Sequence, residues 1–179
     1  MSEVGSTERL PGLTITTTFQ PYSISGRTSA ELRAEMSRKG PSDAAGRHDA
    51  YTRWHVSWKL TPTLLDGACE AGPVHVEVQV TYILPRYIPS ADTSPEVIEA
   101  WSRYRRALRV HEDGHRDHGV EAGRQILREL GALRARATCA ELERQANDRG
   151  AELIGLFSAR DRGYDVETRS GATQGAVFP

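Results

Sequence analysis

Residues 94–133, SPEVIEAWSRYRRALRVHEDGHRDHGVEAGRQILRELGAL, decide how this chain is built. Ser94-Pro95 is a capping hydroxyl followed by proline at the first helical position, where the missing N–H costs nothing. From there Val97, Trp101, Tyr104, Leu108, His111, His115, His118, Ala122, Ile126, Leu130 and Leu133 recur at three- and four-residue spacing. That period predicts one long helix with a single inward stripe. Gly131 either ends the helix or weakens its last turn. A second helix is expected over about 139–164, with Leu142, Ala146, Leu153, Phe157 and Tyr164 on one side, so the two form an antiparallel hairpin.

The half of the chain before this helix has a different period. Thr52, Trp54, Val56, Trp58 and Leu60 alternate with Arg53, His55, Ser57 and Lys59; Val74 to Leu84 repeats the device. Two strands with one buried face follow, as in an antiparallel sheet covered on one side. Asp66-Gly67 between them carries turn chemistry, and Leu13–Tyr22 reads as a further strand that Pro21 interrupts. Thr28 and Glu31 form a capping-box pair, and Gly40-Pro41 is a stop, so 29–39 reads as a short helix. His55 and His75 fall on the polar faces of their strands and read as solvated.

Within the inward stripe, histidine replaces the apolar residue at 111 and 115. At i and i+4 both imidazoles lie on one face and can reach a single ion at about 2.0–2.1 Å. Glu112 is offset by about 100° around the helix, beside the ion rather than on it, a place that suits a general base. His111-Glu112-Asp113-Gly114-His115 thus has the H-E-x-x-H pattern of zinc peptidases. Gly114 would let a substrate strand or the sheet approach closely. A catalytic zinc needs a third protein ligand. Three ligands at i, i+4 and i+7 of a straight helix span about 10 Å, which argues against His118. If the hairpin turns near 133–138, residue 111 lies opposite about residue 160, and Asp165 is expected as the third ligand ahead of Asp161.

Composition sets the outer limits. The chain has 179 residues, with 23 Lys plus Arg against 24 Asp plus Glu, 38% hydrophobic and 26% charged, as in one ordinary globular domain. A net charge of −1 gives no global electrostatic case for nucleic acid, and the arginines along 103–128 are interleaved with glutamates as on a solvated face. No apolar run is long enough for a membrane span. The first twenty residues lack the basic start and apolar core of a signal peptide, so a cytoplasmic location is expected if the chain is complete. Cys69 and Cys139 are too few for a disulfide framework; they pair only if the fold joins them in an oxidising compartment. Residues 1–11 and 171–179 are expected to be loose ends around a single domain of 12–170.

The segments YTRWHVSWKL, VEVQVTYILPRY, ALRVHEDGHRDHGVEAGRQI and YDVETRSGATQGAVFP, in that order, resemble the bacterial domain of unknown function 922, a family described as predicted secreted zinc-dependent proteases. The resemblance runs from about Thr14 to Pro179. It implies that His111 and His115 bind zinc, that Glu112 activates water, and that Tyr164-Asp165 lies near the site. It also implies a secreted or periplasmic setting, and a histidine shortly after the Tyr-Asp-x-x-Thr segment, where this chain has Arg169-Ser170-Gly171. Together these readings predict an α+β, zincin-like domain, a small antiparallel sheet packed on a long active-site helix with a second helix beside it. The expected activity is zinc-dependent hydrolysis of a peptide or protein substrate. The alternatives are an inactive zinc-binding protein and a metal-free interaction module built on the helical hairpin.

Overall fold

In the computed structural model, which describes residues 5–43 and 46–178, the β-branched half of the chain folds as two hairpins laid side by side. The first joins β1 (Thr7–Leu10) to β2 (Leu13–Phe19). The chain then passes through β3 (Tyr22–Ile24), α1 (Ser29–Lys39), β4 (Ser42–Asp43) and β5 (Gly46–Arg47). The second hairpin is β6 (Tyr51–Leu65) and β7 (Ala68–Ile83), turned at Asp66 (φ 49°) and Gly67 (φ 80°). Positive φ at both central residues is what a two-residue hairpin turn needs, and Asp-Gly adopts it readily.

The sheet order is β1-β2-β7-β6, and β2 runs parallel to β7, from Leu13 opposite Val76 to Phe19 opposite Tyr82. The expected antiparallel sheet is therefore corrected to a mixed one. Alternation specifies which face of a strand is buried and says nothing about the direction of its neighbour. The buried face is as expected: Leu13, Ile15, Val56, Val74, Val76, Val78, Val80 and Tyr82 point inward, while His55, His75 and Glu77 are exposed. Register puts His55 opposite Gln79 and His75 opposite Lys59, so the two histidines are not cross-strand neighbours.

After β8 (Pro85–Tyr87), which pairs with β3, the long helix α2 runs from Pro95 to Gly131 and α3 from Cys139 to Thr168. At 37 residues α2 is about 55 Å long, enough to cross two cores. Val120, Ala122, Ile126 and Leu130 pack with the sheet and with Ala146, Leu153 and Phe157 of α3. Trp101, Tyr104 and Leu108 pack with Ile24, Leu32, Met36, Ala50 and Phe178. His111 and His115 fall between the two cores. Gly119 and Gly123 bring α2 against the sheet, since a Cβ there would lie 2.6 Å from Trp54 Cβ and 2.4 Å from Val78 Cγ2.

The structure adds detail to three sequence expectations. Among the described residues the segments near the ends are built into the fold: β1 pairs with β2, and the 171–178 segment carries a turn at Ala172–Gln174 and buries Phe178. Helix α3 runs to Thr168, four residues past its expected end at 164. Cys69 and Cys139 are joined as a disulfide with Cα atoms 5.1 Å apart, tying the β6–β7 hairpin to the start of α3. Among the described residues no helix is long and apolar enough to cross a membrane.

Candidate metal centre

The centre is a ladder between two antiparallel helices. His111 and His115 are one turn apart on α2; Asp165 and Asp161 are one turn apart on α3 and face them in reverse order. His111 Nε2 and His115 Nε2 each lie 3.2 Å from Asp165 Oδ1, and 3.3 Å from one another. These three atoms form a nearly equilateral triangle. Asp165 thus stands where the hairpin expectation put it, whereas Asp161 meets the opposite nitrogen of His115, its Oδ1 2.9 Å from Nδ1. His118 Nδ1 is also 2.9 Å from Asp161 Oδ1 and does not join the triangle.

The partners of the outer ring nitrogens set the direction of the inner ones. Gln174 donates its amide N–H to Tyr164 Oη (2.8 Å), which turns its Oε1 toward His111 Nδ1 at 3.1 Å. An acceptor there makes Nδ1 the protonated nitrogen and leaves the Nε2 lone pair facing the triangle. Asp161 does the same for His115, and its Oδ2 is itself held by the Trp54 indole N–H (3.2 Å). Tyr164 stacks on the His111 ring at 5.1 Å between centroids. This stacking corrects the expectation for Gly114. A Cβ at 114 would lie 2.3 Å from Tyr164 Oη, so the glycine makes room for this ring of α3, not for the sheet or a substrate.

Two nitrogen lone pairs and a carboxylate oxygen at such distances repel unless positive charge sits among them. A tetrahedral ion with ligands at about 2.0–2.1 Å has ligand–ligand edges of roughly 3.3–3.4 Å. The observed edges of 3.2–3.3 Å fit that shell. Without an ion, a proton carries the charge. Burial works against a charged His115, but hydrogen bonds to Asp161 and Asp165 outweigh it and hold its pKa at about 10. Burial likewise works to raise Asp165, and the two histidines reverse this, keeping its carboxyl well below the usual carboxylate range. His115, His118 and Asp161 make a second group of close donors, but both Asp161 oxygens already serve His115, His118 and Trp54. The first group is the better ion site.

Glu112 is buried and lines the same cleft, a space of about 1120 Å³ also lined by His111, His115, Asp165 and Thr52. Its pKa is raised, first by burial; Thr52, whose hydroxyl donates to Oε2 at 2.5 Å, opposes the rise, as do the two histidines. Arg169 (φ 52°), Ser170 (φ 52°) and Gly171 (φ 84°) then turn the chain back over the site. At Gly171 the turn passes so near His111 that a Cβ would lie 2.9 Å from the ring. Ser170 lines the cleft at the place where the resemblance implied a histidine.

Fold and site together define a class: an α+β protein in which a helical hairpin over a mixed sheet gathers two histidines and an aspartate able to hold a metal ion. Residues 19–172 match the family described as "Bacterial protein of unknown function (DUF922)", and the chain belongs to that family. No curated protein and no solved structure matches it.

Sequence reasoning did not find Thr52, Gln174, Thr168 or the role of Tyr164. Thr52 had a signal, as the polar residue on the inward face of a strand otherwise filled by Trp54, Val56, Trp58 and Leu60. Gln174 and Thr168 lie in the C-terminal segment that carried the family resemblance, yet nothing in their spacing points at His111.

Proposed function

We propose that this protein is a zinc-dependent hydrolase of peptide bonds with a zincin-like site, His111, His115 and Asp165 holding the metal and Glu112 acting as general base. The observation that carries the reading is the triangle of inward-facing donors with 3.2–3.3 Å edges beside a buried carboxyl group. Zinc bound there would supply Lewis acidity, polarising a carbonyl and making a water molecule more acidic.

The chain's own residues do the rest. Glu112 takes the proton of the attacking water and passes it to the leaving nitrogen, and a pKa raised by burial brings it toward the range where it both accepts and releases a proton. Thr52 fixes the carboxylate's direction by donating to one oxygen, leaving the other free for the water. Asp161 and Gln174 hold the imidazoles in place through their outer nitrogens, as outer-sphere partners of metal-binding histidines do. Among the described residues the donor group has three members and lines an open cleft, which favours a catalytic site with a free position over a closed structural one.

The test pairs metal analysis with turnover of a fluorescently labelled unfolded protein. The parent binds one zinc per chain and cuts. Glu112→Gln keeps the zinc and loses cleavage, while His115→Ala loses both. Cleavage by Glu112→Gln at the parent's rate refutes the assignment.

A further inference from the structure

Strand β6 is an edge. β7 fills one side of it, and among the described residues 51–58 make no backbone hydrogen bond on the other. The cleft runs along that free side. Residues 51–56 and Trp58 form one wall, and Ala151, Ile154, Ser158, Asp161 and Asp165, spaced three to four apart on one face of α3, form the other. Trp54 Nε1 donates to Asp161 Oδ2 and Trp58 Nε1 to Asn147 Oδ1, both at 3.2 Å, which holds the walls in register. Ile154 lies between these two ties. The lining changes along the trough: Asp43, Arg47 and His48 stand with Tyr51, Tyr104 and Leu108 at one end, and Val56, Trp58, Ala151 and Ile154 form an apolar stretch without a charged side chain at the other.

We propose that this trough takes an extended polypeptide as a further strand on β6 and selects apolar side chains at alternate positions on the Trp58 side of the bond to be cut. The location of that bond rests on the hydrolase reading; the binding mode does not. An added strand aligns residue for residue with its neighbour, and its side chains alternate between the two faces. Those that face the same way as Thr52, Trp54, Val56 and Trp58 enter between the sheet and α3. Those that follow Arg53 and His55 point to solvent. Thr52 marks the level of Glu112, so residues two and four positions from the scissile bond meet Trp54 and Val56, with Ile154 opposite.

Binding is measured on full-length Glu112→Gln protein, so that the peptide stays intact, through the fluorescence of Trp54 and Trp58. The probe is a twelve-residue peptide alternating leucine and serine. Its comparators are the same peptide N-methylated at every second amide on the pairing edge, and one with the leucines regrouped into a block. Loss of two backbone hydrogen bonds weakens the methylated peptide about tenfold. The regrouped peptide is also weaker, and Ala151→Glu, at an exposed helix position, weakens the alternating peptide. Equal binding by all three peptides overturns the proposal, as does undiminished binding by Ala151→Glu. If the alternating peptide binds selectively but the parent protein does not cut it, the trough assignment stands and the hydrolase reading fails. If the parent cuts all three peptides equally, the hydrolase reading stands and the trough assignment fails.

Discussion

Thr52 donates its hydroxyl hydrogen to Glu112 Oε2 across 2.5 Å, joining edge strand β6 to helix α2 through two buried side chains. The bond does more than link elements. Burial favours the neutral form of Glu112, and the Thr52 hydroxyl opposes it more strongly than the histidines do. In the proposed role of general base, Glu112 must be ionised to act, and it then depends on a strand residue for its charge state as well as its aim.

Thr52→Val removes that donor at nearly constant volume. Glu112 then holds its proton to higher pH, so the acidic limb of the pH–rate profile moves upward and the rate at neutral pH falls about ten- to a hundredfold. Zinc content stays as in the parent. Thr52→Ser, which keeps the hydroxyl, restores most of the rate. An unshifted pH profile in the valine variant would remove Thr52 from this role.

Glycines inside the two long helices separate into opposite predictions. Alanine is favoured over glycine in a helix by about 1 kcal/mol. At Gly155 and Gly163 an added Cβ meets nothing within 4 Å, so alanine there raises stability by about 0.5–1 kcal/mol each. At Gly114 the added carbon would lie 2.3–2.6 Å from three atoms of Tyr164, and overpacking outweighs propensity, costing about 1–3 kcal/mol. Gly114→Ala also pushes the Tyr164 ring off His111, so zinc affinity falls with stability. Urea denaturation of the three variants, with and without zinc, checks both signs.

These contrasts mark what the sequence makes legible. The cap at Ser94-Pro95 and the 3–4 stripe expose α2 because a helix's period and ends are local properties. His111 and His115 share a face for the same reason, and the antiparallel hairpin brings Asp165 to them across 54 residues. Strand faces were legible and strand directions were not: the parallel pairing of β2 with β7 arises from two separate hairpins meeting, which alternation does not encode. Thr52 and Glu112 are 60 residues apart, and Gln174 reaches His111 only through the left-handed turn at 169–171. Gly114 and Gly119 look alike in sequence, yet one accommodates Tyr164 and the other Trp54.

Asp49 supplies a pH test away from the metal centre. Burial works to raise its pKa, but hydrogen bonds from Arg33 and Tyr104 prevail and set it below the ordinary 3.8. A lowered folded-state pKa contributes stability that is present above the unfolded value and is lost as pH falls through the folded one. Asp49→Asn is therefore less stable than the parent at pH 7, by about 2 kcal/mol for the weakened charged hydrogen bonds. The two converge as pH falls below the ordinary 3.8 and the parent's carboxyl takes up its proton. Melting curves for both proteins across that range measure the convergence. A gap that stays constant from pH 7 to 2 would exclude the ion pair as its source.

The Cys69–Cys139 bond should separate stability from function. It closes a loop of 70 residues and joins the far end of the β6–β7 hairpin to the start of α3, where Cys69 also exchanges backbone hydrogen bonds with Arg136 (2.7 and 2.9 Å). In the chain-entropy model a loop of that length stabilises the folded state by about 4 kcal/mol. His115 lies sixteen residues before the end of α2 at Gly131, which places it roughly 25 Å along the helix from this joint. The paired Cys69→Ala, Cys139→Ala variant is thus expected to unfold at markedly lower temperature and lower denaturant concentration. Below its melting range it binds zinc as the parent does, because the 111–115 and 161–165 turns and the Gln174 contact are untouched. Reducing agent lowers the parent's melting temperature and leaves the variant's unchanged. Equal melting of variant and parent under oxidising conditions would show that the bond adds no stability.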